Sequence, residues 1–261
     1  MNSPLFARLS VVVPVYNEEA TLAHVVGKLL GLSHLHEVIV VDDCSTDRTN
    51  EIARDLAEKN PSLIQVIRHN KNAGKTEALK TGFAATSGNI VIVQDADLEY
   101  DPDEIAHVMS PIANGVADVV FGSRFMVRRA ARVLYFYHYL ANQGLTFLSN
   151  LFTNLNVTDV ETGYKAFRGE IIRNMTISSC GFGFEIEVTA KIAKLKCAVY
   201  EVPISYYGRT YEEGKKIGVT DGVAALWYII KFNLLTSLAS SYVQAPQLLV
   251  NSTPAIGRKV A

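Results

Sequence analysis

Three carboxylates fall within five residues in Asp95-Ala96-Asp97-Leu98-Glu99, directly after the apolar run Ile90-Val91-Ile92-Val93-Gln94. Like charges this close repel one another unless a cation lies between them. Hard oxygen ligands suit Mg²⁺ or Mn²⁺, above all where substrate phosphates complete the coordination sphere. The apolar run reads as a buried strand. The carboxyl end of a buried strand is where open α/β sheets bind their ligands. The cluster therefore predicts metal-assisted chemistry on a phosphorylated substrate; the competing reading is a solvated acidic turn.

Other clusters also sit where strands end. Pro14-Val15-Tyr16-Asn17-Glu18 follows an apolar segment that Pro14 interrupts. Tyr16 can stack on a base and Glu18 can accept from a base or ribose, although an ordinary strand-to-helix turn would look similar. In Asp42-Asp43-Cys44-Ser45-Thr46-Asp47, Thr46 or Asp47 suits a helix N-cap, which leaves the Asp42-Asp43 pair to explain. Asn70-Lys71-Asn72-Ala73-Gly74-Lys75 lacks the glycine spacing and trailing Ser or Thr of a P-loop. Cationic residues lie at Arg124, Arg128, Arg129 and Arg132, and again at Arg209, Lys215 and Lys216. Arginine can grip phosphate oxygens bidentately and lysine adds a point charge. Carboxylates for a metal, with separate basic segments, fit a diphosphate held between them.

The elements that must position these groups alternate. Period-2 and short apolar runs predict strands at 9–15, 38–41, 64–67, 90–94 and 118–121, with a later one at 198–205. Helical periodicity predicts helices at 19–30, 47–57, 75–86, 102–112 and 185–194, and a helical stretch after Arg132. Such alternation implies βαβ units and a Rossmann-like, mostly parallel sheet flanked by helices. The expected organisation is a single α/β domain over 1–244, with a nucleotide-binding half at about 8–124 and an acceptor half at about 125–244. Residues 245–261 read as a flexible tail.

A net charge of −1 over 261 residues gives no reason to expect nucleic-acid binding. Three cysteines without metal-ligand spacing suit a reduced, cytosolic setting. The N-terminus shows no signal-peptide pattern. The apolar stretches 133–155 and 223–243 are interrupted by polar residues and Lys231. They read as packing helices, with a position at a membrane surface as the alternative.

Taken in order, these motifs resemble the family 2 glycosyltransferases of GT-A fold, most nearly the dolichyl- or polyprenyl-phosphate mannose synthases. The likeness rests on five motifs across about residues 8 to 218. They are Pro14–Glu18, Asp42–Asp47, Asp95–Glu99, Gly122-Ser123-Arg124, and Arg209 with Lys215 six residues on. The resemblance implies that Pro14, Tyr16, Glu18, Val41 and Asp43 hold the nucleoside. It implies that Asp95, Ala96 and Asp97 meet the sugar nucleotide and that Asp97 and Glu99 ligate Mg²⁺ or Mn²⁺. Arg124 would bind phosphate, and Arg209 and Lys215 would close over the diphosphate. The implied activity is inverting transfer of a hexose from GDP-mannose or UDP-glucose to polyprenyl or dolichyl phosphate, by a cytoplasmic protein with peripheral membrane contact.

Three departures stand out. Glu99 replaces the usual Gln and Cys44 a usual Gly, and no arginine can be placed in the helix after Gly-Ser-Arg. A hydroxyl acceptor is the alternative. It would require a carboxylate base, for which Asp159, Glu161, Glu185 and Glu187 are the candidates. A nucleotidyltransferase and a non-catalytic nucleotide-sugar binder are the other readings.

Overall fold

The computed structural model describes residues 7–126, 135–181, 183–208 and 219–248. The first half alternates strand and helix: β1 (Leu9–Val15), α1 (Leu22–Leu29), β2 (Leu35–Asp42), α2 (Thr49–Lys59), β3 (Ile64–Arg68), α3 (Lys75–Ala85) and β4 (Ile90–Val93). A short 3₁₀ turn at Pro102–Glu104 leads into α4 (Ile105–Ala113) and β5 (Val119–Ser123). The second half holds α5 (Phe136–Thr153), β6 (Lys165–Arg168), α6 (Gly169–Asn174), α7 (Phe184–Leu195), β7 (Val199–Pro203), α8 (Val219–Leu234) and α9 (Leu238–Ser241).

The described strands form one sheet in the order β3-β2-β1-β4-β6-β5-β7. All neighbours are parallel except β6, which runs antiparallel to both β4 and β5. Period-2 alternation divides the core. Val11 and Val13 pack with α1 and α4 on one face, and Val12 packs with Leu79 and Phe83 of α3 on the other. Burial of both faces accounts for the uninterrupted apolar runs. Helix α1 buries Leu22, Val25, Val26 and Leu29, the i, i+3, i+4, i+7 stripe of an amphipathic helix. Helix α3 lies so close to β1 that a Cβ on Gly82 would come within 2.3 Å of Val12 Cγ1.

The chain order reverses at β1, which has β2 on one side and β4 on the other. Val12 pairs with Val93, so β1 and β4 release their following loops side by side. That is the crevice at which doubly wound sheets bind ligands.

Sequence and structure differ mainly in the second half. Strand β6 and helix α6 had no signal in the sequence. Four residues bounded by Lys165 and Arg168 carry no alternation, and Lys165 is fully buried with its ammonium bonded to backbone carbonyls. Of the segment 245–261, expected as a tail, residues 245–248 are described, and there Gln247 donates its amide to Glu170 and accepts from Arg168. No helix among the described residues is long and apolar enough to cross a membrane.

Candidate active site

The loops leaving β1 and β2 form one unit. Asn17, at φ 57°, donates its amide to Ser45 and accepts from the Thr46 amide. Glu18 donates its amide to Thr49 at 2.8 Å, and Ser45 donates to the buried Asp42. Pro14 and Val41 pair across β1 and β2. Tyr16 remains more than a third exposed beside them. The five residues expected around a nucleoside thus lie at the carboxyl ends of β1 and β2 and on the two adjacent loops that follow them.

Asp43 has an additional task. Its buried carboxylate accepts from the Ala73 and Gly74 amides and lies 2.7 Å from His69 Nδ1. This fixes the 70–74 loop, whose Gly74 at φ 90° opens α3. The first residue of that helix is Lys75, and its Nζ reaches Asp95 at 2.8 Å and lies 4.0 Å from Glu185. The two carboxylates hold the Lys75 ammonium well above its ordinary pKa against the opposing effect of burial. The Lys75–Asp95 contact is a site feature that sequence reasoning missed. Its signal was the Gly74-Lys75 pair, which spacing alone could aim only at a ligand.

The acidic cluster turns sharply after β4. Leu98 has φ 62°, and the Glu99 amide donates to Asp97 Oδ1 at 3.2 Å. Tyr206 donates its hydroxyl to Glu99 at 2.8 Å, and the Tyr207 amide donates to the Glu99 carbonyl. The segment after β7 is therefore tied to the acidic turn. Arg209 and Lys215 follow that segment and lie outside the described residues, as do Arg128, Arg129 and Arg132.

Asp97 and Glu99 supply hard oxygen donors at the mouth of this crevice. Among the described residues no three His, Cys, Asp or Glu side chains form a metal cage by themselves. This donor set fits a Mg²⁺-like cation, which commonly takes one or two carboxylates and completes its sphere with water and substrate phosphates.

Arg124, at the end of β5, faces the same region. It grips Asp159 through Nε–Oδ2 at 2.6 Å and Nη2–Oδ1 at 2.7 Å, and its guanidinium lies over the Tyr206 ring. Those bonds use two of the five guanidinium N–H donors. Arg124 and the Lys165 charge hold Asp159 below the usual carboxylate range although burial opposes them, which makes it a poor proton acceptor. Glu187 is also removed as a base. It is fully buried, bonded to Lys191 at 2.6 Å, and accepts from the Ser178 and Ser179 amides.

Glu185 and Glu161 are the remaining candidates. Glu185 is buried near Lys75. Burial, then the Glu185 charge, pushes Glu161 up to about 7. Burial lowers Lys165 to about 8.

Helices α5 and α8 pack together and leave large side chains exposed. Phe136, Tyr137 and Phe147 on α5 are 66%, 81% and 67% exposed, and Trp227 on α8 is 54% exposed. Patches of this kind mark contact surfaces.

Residues 10–176 match the family model described as glycosyl transferase family 2. The dolichol-phosphate mannosyltransferase of Pyrococcus furiosus is 32% identical over 219 residues, spanning 82% of this chain but 60% of that protein. The polyprenol monophosphomannose synthase of Mycolicibacterium smegmatis is 29% identical over 217 residues, covering 81% of this chain and 82% of the relative. Among solved structures, glucosyl-3-phosphoglycerate synthase from Mycobacterium tuberculosis, in complex with Mn²⁺, UDP and phosphoglyceric acid, superposes with a TM-score of 0.68 at 21% identity. That match covers 93% of this chain and 87% of the solved one. It is a likeness of fold.

Proposed function

From the premise that this chain belongs to glycosyl transferase family 2 and has its GT-A fold, we propose that it moves a hexose, with inversion, from a nucleoside-diphosphate sugar to a polyprenyl phosphate. GDP-mannose and UDP-glucose are the donors to test. The observation that carries the reading is the convergence of the acidic turn Asp95–Glu99 with Arg124 and the β1/β2 loops at the sheet's reversal point. The names of the Pyrococcus and Mycolicibacterium relatives support a lipid-phosphate acceptor. So do the exposed aromatic faces of α5 and α8, which suit the interfacial region of a bilayer.

In this account Pro14, Tyr16, Glu18, Val41 and Asp43 surround the nucleoside, with Asp43 acting through the loop it fixes. Asp95, Ala96 and Asp97 meet the sugar nucleotide, and Asp97 and Glu99 hold the divalent cation. That cation, when bound, supplies positive charge to the diphosphate as it departs. Arg209 and Lys215 close over the same oxygens and stabilise their developing charge. Arg124 uses its remaining donors to orient the acceptor phosphate. A phosphate monoester is already an anion, so its attack on the anomeric carbon needs no general base.

A hydroxyl acceptor is the second reading. The observation favouring it is Glu161, whose carboxyl at about 7 suits a base at neutral pH. Transfer assays with polyprenyl phosphate against hydroxyl acceptors separate the two. Lipid-dependent transfer supports the first, and transfer to hydroxyls alone supports the second.

A further inference from the structure

Glu161 lies between Asp159 and β6, and its Oε1 is buried without a hydrogen-bond partner. A buried polar atom left unpaired is costly, and more so when charged. Such an atom in a native fold calls for a functional explanation.

The cations of this region bond to groups other than Glu161. Lys165 Nζ donates to the carbonyls of Val160 and Thr162, at 2.9 and 2.5 Å. Arg124 is bonded to Asp159, and Lys75 donates to Asp95. Among the described residues none donates to Glu161 Oε1, which leaves that oxygen available to a donor on a bound ligand.

The position of Glu161 indicates what that partner is. Two residues on, a Cβ placed at Gly163 would lie 3.0 Å from Asp95 Oδ2, so this segment packs against the carboxyl end of β4. Glu185, whose charge acts most strongly on Glu161, shares the Lys75 ammonium with Asp95. The local group holds four carboxylates (Asp95, Asp159, Glu161, Glu185) against three cations (Lys75, Arg124, Lys165). Beside Glu185 and Asp159, the Glu161 carboxyl itself disfavours an anionic partner and suits a neutral hydrogen-bond donor.

We propose that Glu161 is a specificity-determining residue that accepts a hydrogen bond from a hydroxyl of the hexose being transferred. The assignment rests on the glycosyl-transfer reading and deepens it. The raised pKa of Glu161 is consistent with a carboxyl that has lost water and has no protein donor in exchange.

The test compares full-length wild type, Glu161→Gln and Glu161→Ala. Each is assayed with GDP-mannose, UDP-glucose and singly deoxygenated analogues of whichever donor wild type uses. Binding of the matching nucleoside diphosphate is measured separately. In Glu161→Ala, kcat/KM falls about 10–100-fold, the scale of one lost polar contact to substrate, while nucleoside-diphosphate affinity stays within about twofold. One deoxy donor shows the same loss in wild type and no further loss in Glu161→Ala. Glu161→Gln, which still offers an acceptor oxygen, recovers part of the rate.

Equal penalties for every deoxy donor in wild type and variant would overturn the assignment. So would a loss confined to hydroxyl acceptors with disappearance of a pH limb near 7, which would make Glu161 a general base instead. A wild type that transfers sugar while both variants match it overturns this assignment alone. A wild type that transfers from no donor overturns the transfer reading as well.

Discussion

Arg124 and Asp159 meet through two parallel side-chain hydrogen bonds, at 2.6 and 2.7 Å, with Asp159 wholly buried, the Arg124 amide donating to its Oδ2 and Asn142 to its Oδ1. A buried pair of this geometry serves less to raise net stability than to penalise removal of either half. Arg124→Ala and Asp159→Asn should each destabilise the fold by about 3 kcal/mol, with the double variant losing less than the sum. Urea midpoints of the two singles and the double check this; strict additivity would show that the pair is uncoupled.

The same pair has a pH signature. Asp159 is held below its ordinary value, so its contribution is present above the unfolded carboxylate pKa and is lost as pH falls through the lower folded value. Glu161 behaves oppositely. Its folded value of about 7 lies above the ordinary 4.5, so the native state holds the proton more tightly and stability declines as pH rises from about 4.5 to about 7. Glu161→Gln should match wild type near pH 4.5 and be more stable at pH 8, by about 3 kcal/mol. Melting curves at the two pH values test it, and a pH-independent difference would contradict it.

Lys75 supplies the counter-charge for Asp95 and Glu185. Lys75→Met should lower kcat/KM by about a hundredfold through lost electrostatic organisation. Retention of wild-type kinetics by a folded variant would remove Lys75 from the site.

Gly163 stands against Asp95 and Tyr100, where an added methyl would sit at 3.0 and 3.2 Å. Gly163→Ala should displace Asp95 and cost about tenfold or more in activity, since small misplacements near the chemistry are expensive. The thermal midpoint should fall by only a few degrees. An unchanged rate would show that Asp95 does not need its present position.

Much of this site was legible because the residue types that do chemistry stand at strand ends, and strands of two-sided burial read as plain apolar runs. Strand β1 was read to the residue, and Pro14–Glu18 and Asp42–Asp47 do come together across β1 and β2. What pairing partners do was not legible. Nothing local in Asp43 shows that it holds the 70–74 loop, and nothing in Asp159 shows that Arg124 occupies it. Those facts depend on contacts between residues 30 and 35 positions apart. Glu185 and Glu187 stood as equal candidates in the sequence, and the buried bond of Glu187 to Lys191 separates them. Cys44 stands where the resembled family usually has Gly, and it occupies φ 63°. There a glycine avoids a left-handed penalty of about 1–2 kcal/mol against an entropic cost of about 0.5–1 kcal/mol. Cys44→Gly should therefore be neutral to mildly stabilising.

The central claim is tested most directly by assaying transfer of labelled sugar from GDP-mannose and from UDP-glucose to a polyprenyl phosphate in detergent, with and without Mg²⁺ or Mn²⁺, for wild type and Asp97→Asn. The account predicts metal-dependent appearance of a glycosylated lipid phosphate from one donor, abolished by Asp97→Asn in a protein that still melts cooperatively. Transfer that is indifferent to metal and to Asp97, or absence of transfer from either donor, would contradict it.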